Sequence, residues 1–249
     1  MLANETFSKL KEMRLGIMAK LFHQQLDNND HADLSFEDRF GLMVDAEWSS
    51  RKSNRLKRLI RNAGYSIPGA CLEDIEYRAD RQLDKARLLR LGNCEYIQGC
   101  RNIIILGATG CGKTYLSCAF GVAANRSFIP ARYIRLPELL HELALARSEG
   151  YYQKAVKQYK QVRLLILDEW LLLPLKDSEA RDLLEIVDAR HKKASTIFCS
   201  QFDVPGWHDK IGEPTLADAI CDRIVHDSHV ITIGGNDSMR KLKGIKDEK

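Results

Sequence analysis

A glycine-rich octapeptide constrains this 249-residue chain more than any other feature of its sequence. Residues 107–114 read GATGCGKT, which matches the phosphate-binding loop pattern GxxxxGK followed by Ser or Thr. The octapeptide directly follows an apolar run, residues 102–106, and directly precedes a helical stretch that begins at Lys113. Because this is the context that the pattern requires, the sequence predicts a nucleotide-binding loop between a β-strand and a helix.

The chemistry of the loop follows from its residue types. Glycines allow backbone N–H groups to turn inward around phosphates, and the helix N-terminus adds the positive end of its dipole. We expect Lys113 to reach the β- and γ-phosphates of the nucleotide and the Thr114 hydroxyl to bind Mg²⁺. The predicted cofactor-binding residues are Gly107, Ala108, Thr109, Gly110, Cys111, Gly112, Lys113 and Thr114.

Two adjacent acids follow a second apolar run. Residues 164–167 are Leu-Leu-Ile-Leu, and Asp168 and Glu169 come next. A buried parallel strand reads as a continuous apolar run, and ligands lie beyond the carboxyl ends of such strands. We therefore expect Asp168 to hold Mg²⁺ through water and Glu169 to polarise the water that attacks the γ-phosphate. A strand that ends in a solvated acidic turn is the alternative, and the phosphate-binding loop upstream argues against it.

Short β-rich runs alternate with helical runs after residue 69, which predicts a parallel sheet with crossover helices. Five strands with intervening helices form one doubly wound α/β domain. The predicted strands are Asn102–Leu106, Ala131–Leu136, Arg163–Leu167, Ser195–Ser200 and His229–Ile233. The predicted helices are Lys113–Asn125, Pro137–Ser148, Ser178–Lys192 and Thr215–His226.

Residues 1–68 are expected to form a small all-helical N-terminal domain, and residues 69–249 the α/β domain. Helical spacing covers the stretch from Thr6 to Leu26 and a second region that opens at Ser35 and runs to Asn62. Gly41 and the Ser49–Ser50 pair are candidate break points in the second region. Gly64 is a helix stop, and residues 66–69, Ser-Ile-Pro-Gly, resemble a linker.

Composition excludes several classes of protein. A hydrophobic fraction of 45% with 29% charged residues rules out wholesale disorder. No apolar run is long enough to span a bilayer, and the first residues lack the apolar core of a signal peptide, so no membrane association is expected. The seven cysteines are odd in number and none lies in a CxxC pair. Reduced thiols in a cytoplasmic protein are the simplest interpretation.

The net charge of +4 includes a concentrated basic segment. Between residues 51 and 61 there are six basic residues and no acid, and a helix there would place Leu56, Leu59, Ile60 and Ala63 on the opposite side. A face of one sign suits a phosphate backbone, so we expect binding to double-stranded DNA with little sequence preference. There are two alternative roles for this basic segment: a helix face that is only solvated, or a surface that docks to an acidic protein. The predicted DNA-binding residues are Arg51, Lys52, Arg55, Lys57, Arg58 and Arg61.

Four segments of the sequence resemble the IstB family of AAA+ ATPases, the helper proteins of a class of bacterial insertion sequences. They are EWSSRKSNRLKRLIRNAGY, GATGCGKTYLSCAFGVAA, LLILDEW and LADAICDRIVHDSHVITIGGNDSMRK. The family is similar in turn to the helicase loader DnaC and to the initiator DnaA. The resemblance implies an AAA+ core without a full C-terminal lid, ATP with Mg²⁺ as cofactors, and a homo-oligomer with nucleotide at its subunit interfaces. Trp170 and Leu171 depart from the small residues usual after the acids.

The resemblance also implies roles for individual residues. Gln201, or alternatively Ser200, corresponds to the polar sensor at the end of the strand beside the acidic strand. Arg223 resembles the arginine finger that completes the site of a neighbouring subunit, and Arg240 resembles a second sensor at the γ-phosphate. The expected catalytic residues are Lys113, Asp168, Glu169, Gln201 and Arg223.

The function that the resemblance implies is regulation of transposition. An ATP-bound multimer on target DNA would deliver that DNA to a partner transposase or stimulate the transposase, and ATP hydrolysis would reset the complex. A DnaC-like replicative helicase loader is the main alternative, because it would share every residue of the nucleotide site. A small-molecule kinase and a non-hydrolysing DNA-bound switch are further alternatives.

Overall fold

The computed structural model describes residues 2–27 and 33–235 of the chain. The chain divides into two compact units, Met1–Arg58 and Leu59–Lys249. In the described residues, no helix is long and apolar enough to cross a membrane. All seven cysteines lie in the described ranges, and all are free thiols.

The first unit is helical, as the sequence predicts. Its helices are α1 (Leu2–Glu12), α2 (Gly16–Asp27) and the larger part of α3 (Phe36–Ala63). The stretch from Thr6 to Leu26 forms two helices rather than one, because Arg14 adopts a left-handed conformation (φ 60°) and ends α1. α3 is continuous through Gly41 and the serine pair. Its start is capped by Ser35, whose Oγ accepts a hydrogen bond from the Asp38 N–H at 3.1 Å.

Five parallel strands form the sheet of the second unit, so the predicted fold class is confirmed. They are β1 (Asn102–Gly107), β2 (Ala131–Arg135), β3 (Leu164–Trp170), β4 (Ser195–Ser200) and β5 (Ser228–Ile233). Their order across the sheet is β2-β3-β4-β1-β5. Ile105 of the interior strand β1 lies opposite Cys199 of β4 and Ile231 of β5. Parallel strands of this kind read as apolar runs because both faces of the sheet are covered.

Helices pack on both faces of the sheet and create two apolar cores. One core joins one face to α6 (Lys113–Arg126) and to residues 63–97. The other joins the opposite face to the helices that follow β2, β3 and β4. The remaining helices are α4 (Lys85–Gly92), α5 (Glu95–Gln98), α7 (Leu136–Ser148), α8 (Tyr152–Gln161), α9 (Asp177–Arg190), α10 (Val204–Ile211) and α11 (Pro214–Val225).

The residues on either side of the predicted linker belong to the core of the second unit, whereas Ser66, Pro68 and Gly69 of the linker itself are exposed. Tyr65 and Ala70 are buried in that core, and the Tyr65 hydroxyl donates to Asn125 Oδ1 at 2.8 Å. Ala63, the last residue of α3, is also fully buried there. For this reason the two compact units divide inside α3, between Arg58 and Leu59, whereas the sequence predicts a boundary after residue 68.

Candidate nucleotide-binding site

The phosphate-binding loop connects β1 to α6, as predicted. Gly112 has φ 104°, a conformation that side chains rarely adopt, and immediately precedes α6. Gly107 closes the end of β1, where a Cβ atom would lie 2.7 Å from Cys111 Sγ and 2.8 Å from the Ile233 carbonyl oxygen. Any side chain at position 107 would therefore push the loop away from β5.

Lys113 directs its ammonium group into this loop. The residue is only 9% exposed, and its Nζ donates to the carbonyl oxygens of Gly107 at 2.7 Å and of Ala108 at 2.8 Å. A lysine ammonium has three donors, so one donor remains for an anion. The loop thus holds a positive charge at the place where a phosphate would enter.

Asp168 connects the end of β3 to the start of α6. Its carboxylate is buried, and Oδ2 accepts hydrogen bonds from the Thr114 hydroxyl at 2.7 Å and from the Tyr133 hydroxyl at 2.8 Å. The structure therefore brings the two predicted metal-binding residues, Thr114 and Asp168, side by side. A hydroxyl and a carboxylate are oxygen ligands of the kind Mg²⁺ prefers, so this pair fits an ion shared with phosphates and water.

Glu169 points away from Asp168 towards solvent. Its φ of 55° turns the chain, and its side chain is 37% exposed. The carboxylate Oε1 lies 3.9 Å from Nε of Arg135, the last residue of β2. A pocket of about 330 Å³ is shared by the loop, the acids and this arginine. Its walls are Ser66, Ile67, Gly110, Gly112, Lys113, Thr114, Tyr115, Arg135, Asp168 and Glu169.

The sequence pattern did not predict roles for Tyr133 and Arg135. Both lie on β2, whose residue Arg135 pairs with Asp168 of β3 in the sheet register. The available signal was positional, since the carboxyl ends of neighbouring parallel strands meet at one edge of the sheet. Burial and the Asp168 carboxylate raise the pKa of Tyr133, so this hydroxyl stays protonated and remains a donor to Asp168.

A second pocket lies on the other side of Gly112 and Tyr115, which line both. It has a volume of about 100 Å³ and is mostly apolar, with Ile75, Leu83 and Leu116 among its walls. Arg81 is buried beside it, and its Nη2 donates to the Cys111 carbonyl oxygen at 3.0 Å. The loop therefore separates a polar pocket from an apolar one.

The two candidate sensors at the end of β4 have different surroundings. Ser200 is fully buried, and its Oγ donates to the Trp170 carbonyl oxygen at 3.1 Å. The same oxygen accepts from the Phe202 N–H at 3.1 Å and from Trp207 Nε1 at 2.9 Å. One donor and two lone pairs are all that a hydroxyl has, so Ser200 has no capacity left for a ligand. Gln201 is exposed at the strand end.

Trp170, which departs from the family pattern, is a core residue. It is fully buried, and its ring centroid lies 4.7 Å from that of Phe198 and 5.8 Å from that of Trp207. Edge-to-face contacts of this kind favour tight packing. The large side chain therefore fills space between β3, β4 and α10 and does not line the nucleotide pocket.

Arg223 does not line either pocket. It lies on α11, where its Nε donates to Asp188 Oδ1 of α9 at 2.8 Å and its Nη1 to the Ala219 carbonyl oxygen at 2.9 Å. Its side chain is 32% exposed. If Arg223 contacts a nucleotide, that nucleotide would therefore have to be bound to another copy of the chain. Arg240 lies outside the described residues.

The basic segment of α3 has the predicted faces. All six basic side chains are exposed, whereas Leu56, Leu59 and Ile60 are half-buried. Three of the six, Arg51, Lys52 and Arg55, have contacts of their own. Arg51 Nε donates to Glu47 Oε1 at 2.7 Å, and the Lys52 ammonium lies 3.7 Å from the Trp48 ring centroid. Lys57, Arg58 and Arg61 make no hydrogen bond or ion pair with the described part of the chain.

A parallel sheet in this strand order, with a phosphate-binding loop after β1 and an acidic pair on β3, defines the AAA+ class of P-loop nucleotide-binding proteins. Within that class the chain belongs to one family, described as IstB-like ATP binding protein, which matches residues 8–246.

Relatives and solved structures agree with this assignment. The insertion sequence ATP-binding protein y4pL of Sinorhizobium fredii is 41% identical over 241 residues, which cover 97% of this chain and 98% of the relative. AMPPCP-bound DnaA from Aquifex aeolicus has a TM-score of 0.56 at 20% identity, over 70% of this chain and 52% of that one. The DnaC helicase loader has a TM-score of 0.54 at 17% identity, over 66% of this chain and 96% of that one. The chain thus spans about half of DnaA, and both structural likenesses show the fold alone.

Proposed function

We propose that this protein hydrolyses ATP and that its ATP-bound form assembles on double-stranded DNA to serve a transposase. The observation that carries the proposal is the contact of Thr114 with Asp168 beside the Lys113 ammonium, with Glu169 at the mouth of the same pocket. These groups supply every function that phosphoryl transfer to water needs from one subunit: a phosphate cradle, a metal site and a carboxylate near the attacking water.

In this proposal each of the two pockets binds a different part of the nucleotide. The apolar pocket beside Leu83 and Leu116 suits a flat base, and the loop that separates it from the polar pocket suits the triphosphate. Lys113 would neutralise phosphate charge, while Thr114 and Asp168 would hold Mg²⁺. When bound, that ion supplies charge neutralisation at the phosphate oxygens.

Hydrolysis requires a water molecule in line with the γ-phosphate. Glu169 is the exposed acid at that end of the pocket, and its position 3.9 Å from Arg135 gives it a fixed partner. Gln201 lies at the end of the adjacent strand and has an uncommitted amide to orient the same water. Arg223 would act on the nucleotide of the next subunit, because it does not line the pockets of its own.

DNA and a transposase are the proposed partners. The support is the exposed single-sign face of α3 together with the similarity to a relative named as an insertion sequence ATP-binding protein. The seven free thiols agree with a protein that works in the cytoplasm. A DnaC-like helicase loader shares the fold, and stable co-purification with a replicative helicase in place of a transposase would favour that alternative.

The replacement Glu169→Gln tests the hydrolytic function. We expect the variant to bind ATP as the unaltered protein does and to lose at least about a hundredfold in turnover, because the amide cannot accept the proton of water. Glu149→Gln is a matched control, because Glu149 is exposed just after α7 and its side chain makes no hydrogen bond with a described residue; this variant should keep full activity. Phosphate release measured at saturating ATP separates the outcomes, and unchanged turnover in Glu169→Gln would contradict the proposal.

A further inference from the structure

Folding gathers a second set of basic residues on the ATP-binding unit, distant in sequence from the basic segment of α3. We call Arg87, Arg90, Arg101 and His229 the β5-edge cluster. Arg87 Nη2 of α4 donates to the Val230 carbonyl oxygen of β5 at 2.8 Å, which fixes α4 beside that strand. Arg101 immediately precedes β1, whose first two residues pair with Ser228 and His229 of β5. Three separate elements thus contribute to one patch.

The charges of this cluster converge and are not balanced. Arg90 lies one helical turn after Arg87 on α4. Burial lowers the pKa of His229, and the positive charges of Arg101, Arg87 and Arg90 lower it further. The Arg90 and Arg101 side chains are exposed and make no hydrogen bond or ion pair with any described residue. The acids nearest in sequence are Asp227, two residues before His229, and Asp84, whose Oδ1 accepts from the Arg87 N–H and caps α4. Neither acid forms an ion pair with a described residue of the cluster.

An unbalanced group of like charges destabilises a folded protein unless an anion binds there. β5 is an edge strand of the sheet that the described residues form, and no further strand among those residues covers the outer side of the patch. Guanidinium groups match phosphate oxygens with paired hydrogen bonds. The cluster itself contains no Trp or Tyr, the side chains that most often anchor protein–protein interfaces together with Arg.

We propose that the β5-edge cluster is a second contact site for the sugar–phosphate backbone of double-stranded DNA. The proposal rests on the proposed DNA-binding function and adds a contact on the unit that holds the nucleotide. Leu88 and Leu91 of α4 lie in the same core as Leu116 of α6, the helix that follows the phosphate-binding loop. DNA held by this cluster would therefore lie on the same packed unit as the ATP site.

The test compares DNA affinity and its salt dependence among the unaltered protein and four double variants. Arg90→Gln/Arg101→Gln removes the two uncommitted charges and leaves Arg87, which attaches α4 to β5. Lys192→Gln/Lys193→Gln removes two exposed charges elsewhere on the same unit and is the matched control. Arg58→Gln/Arg61→Gln tests the basic segment of α3. Fluorescence anisotropy of a mixed-sequence duplex, with a slowly hydrolysed ATP analogue and a range of KCl concentrations, gives each dissociation constant.

We expect the Arg90/Arg101 variant to bind DNA about tenfold or more weakly than the unaltered protein, with a slope of log K against log salt smaller by about 1.8. The control variant should bind like the unaltered protein. Arg90→Lys/Arg101→Lys should restore the slope, since counterion release depends on charge. The unfolding temperature should be no lower in any variant of the cluster, because like charges are removed or kept, and DNA-independent ATP turnover should be unchanged.

The outcomes separate the proposal about the β5-edge cluster from the broader proposal that the protein binds double-stranded DNA. An Arg90/Arg101 variant that behaves like its control, while the α3 variant binds weakly, overturns the cluster and leaves DNA binding intact. Failure of the unaltered protein to bind duplex DNA overturns both. If the cluster variant keeps its DNA affinity but loses binding to the transposase, the patch recognises an acidic protein surface and the proposal is wrong.

Discussion

Ser200 and Gln201 are adjacent in sequence, yet they have different surroundings in the structure. Ser200 makes three hydrogen bonds in the core, whereas the Gln201 amide is exposed at the strand end. We predict that Ser200→Ala lowers the free energy of unfolding by about 1–3 kcal/mol, because the Phe202 N–H loses its acceptor and Trp207 Nε1 keeps only the Phe202 carbonyl oxygen. ATP turnover of the folded Ser200→Ala protein should be nearly normal.

Gln201→Ala should show the opposite behaviour. We expect unchanged thermal unfolding and a loss of about tenfold to a hundredfold in turnover, since an orienting hydrogen bond is removed. Calorimetry and steady-state phosphate release on the two variants provide the comparison. Loss of turnover without loss of stability in Ser200→Ala would reverse the assignment of the sensor.

At the scale of single residues, the sequence predicted which patterned residues share the pocket better than it predicted their neighbours in the fold. Lys113, Thr114, Asp168 and Glu169 belong to patterns that fix both residue type and spacing, so their convergence on one pocket was predictable. Arg135 belongs to no such pattern. Its place beside Glu169 depends on the order of β2 and β3 in the sheet, which becomes known only when the chain is folded.

A helix-to-helix connection in the first unit makes the stability of α2 sensitive to pH. Glu47 of α3 accepts hydrogen bonds from the N–H groups of Ile17 at 2.9 Å and Met18 at 3.1 Å, in the first turn of α2. The hydrogen bond from Arg51 and these two N–H groups lower the pKa of Glu47 below its ordinary value of 4.5. The stabilisation is therefore complete above that value and is lost as the pH falls through the lower pKa of the folded state.

We predict that Glu47→Gln destabilises the pairing of α2 with α3 by about 1–2 kcal/mol at neutral pH, because an ionised acceptor of several hydrogen bonds is replaced. Hydrogen exchange of the α2 amides, measured at neutral pH and below the ordinary carboxyl pKa, reports the change. The difference between variant and unaltered protein should shrink in acid. Glu12→Gln, exposed at the end of α1, should change neither value, and a pH-independent effect of Glu47→Gln would contradict the prediction.

At the scale of elements, strands were predictable and the segment before them was not. All five strands were predicted to within a few residues, because buried parallel strands are short apolar runs between turn residues. Residues 69–101 were predicted as neither helix nor strand. α4 and α5 are only 8 and 4 residues long, so their stability comes from packing on α6 and not from a local pattern.

At the scale of the whole molecule, the sequence predicted a helical unit before an α/β unit, but tertiary packing determines where they divide. Pro68 and Gly69 indicate a local break in helix and carry no information about what surrounds them. Ala63 and Tyr65 precede that break and are nevertheless buried in the core of the α/β unit. Gly64 was therefore a correct signal for the end of α3, while the division into compact units depends on packing that a turn signal does not report.

The most direct test of the central claim mixes two inactive proteins. Lys113→Ala removes the phosphate contact within a subunit, and Arg223→Ala removes the group offered to the neighbouring site, so each variant alone should have lost turnover. In an equimolar mixture with DNA, random assembly places an intact loop against an intact arginine at about a quarter of the interfaces. We predict recovery of about a quarter of the unaltered turnover, rising with protein concentration. No recovery at any concentration, with a specific activity of the unaltered protein that is independent of its own concentration, would contradict an ATP site completed by a second subunit.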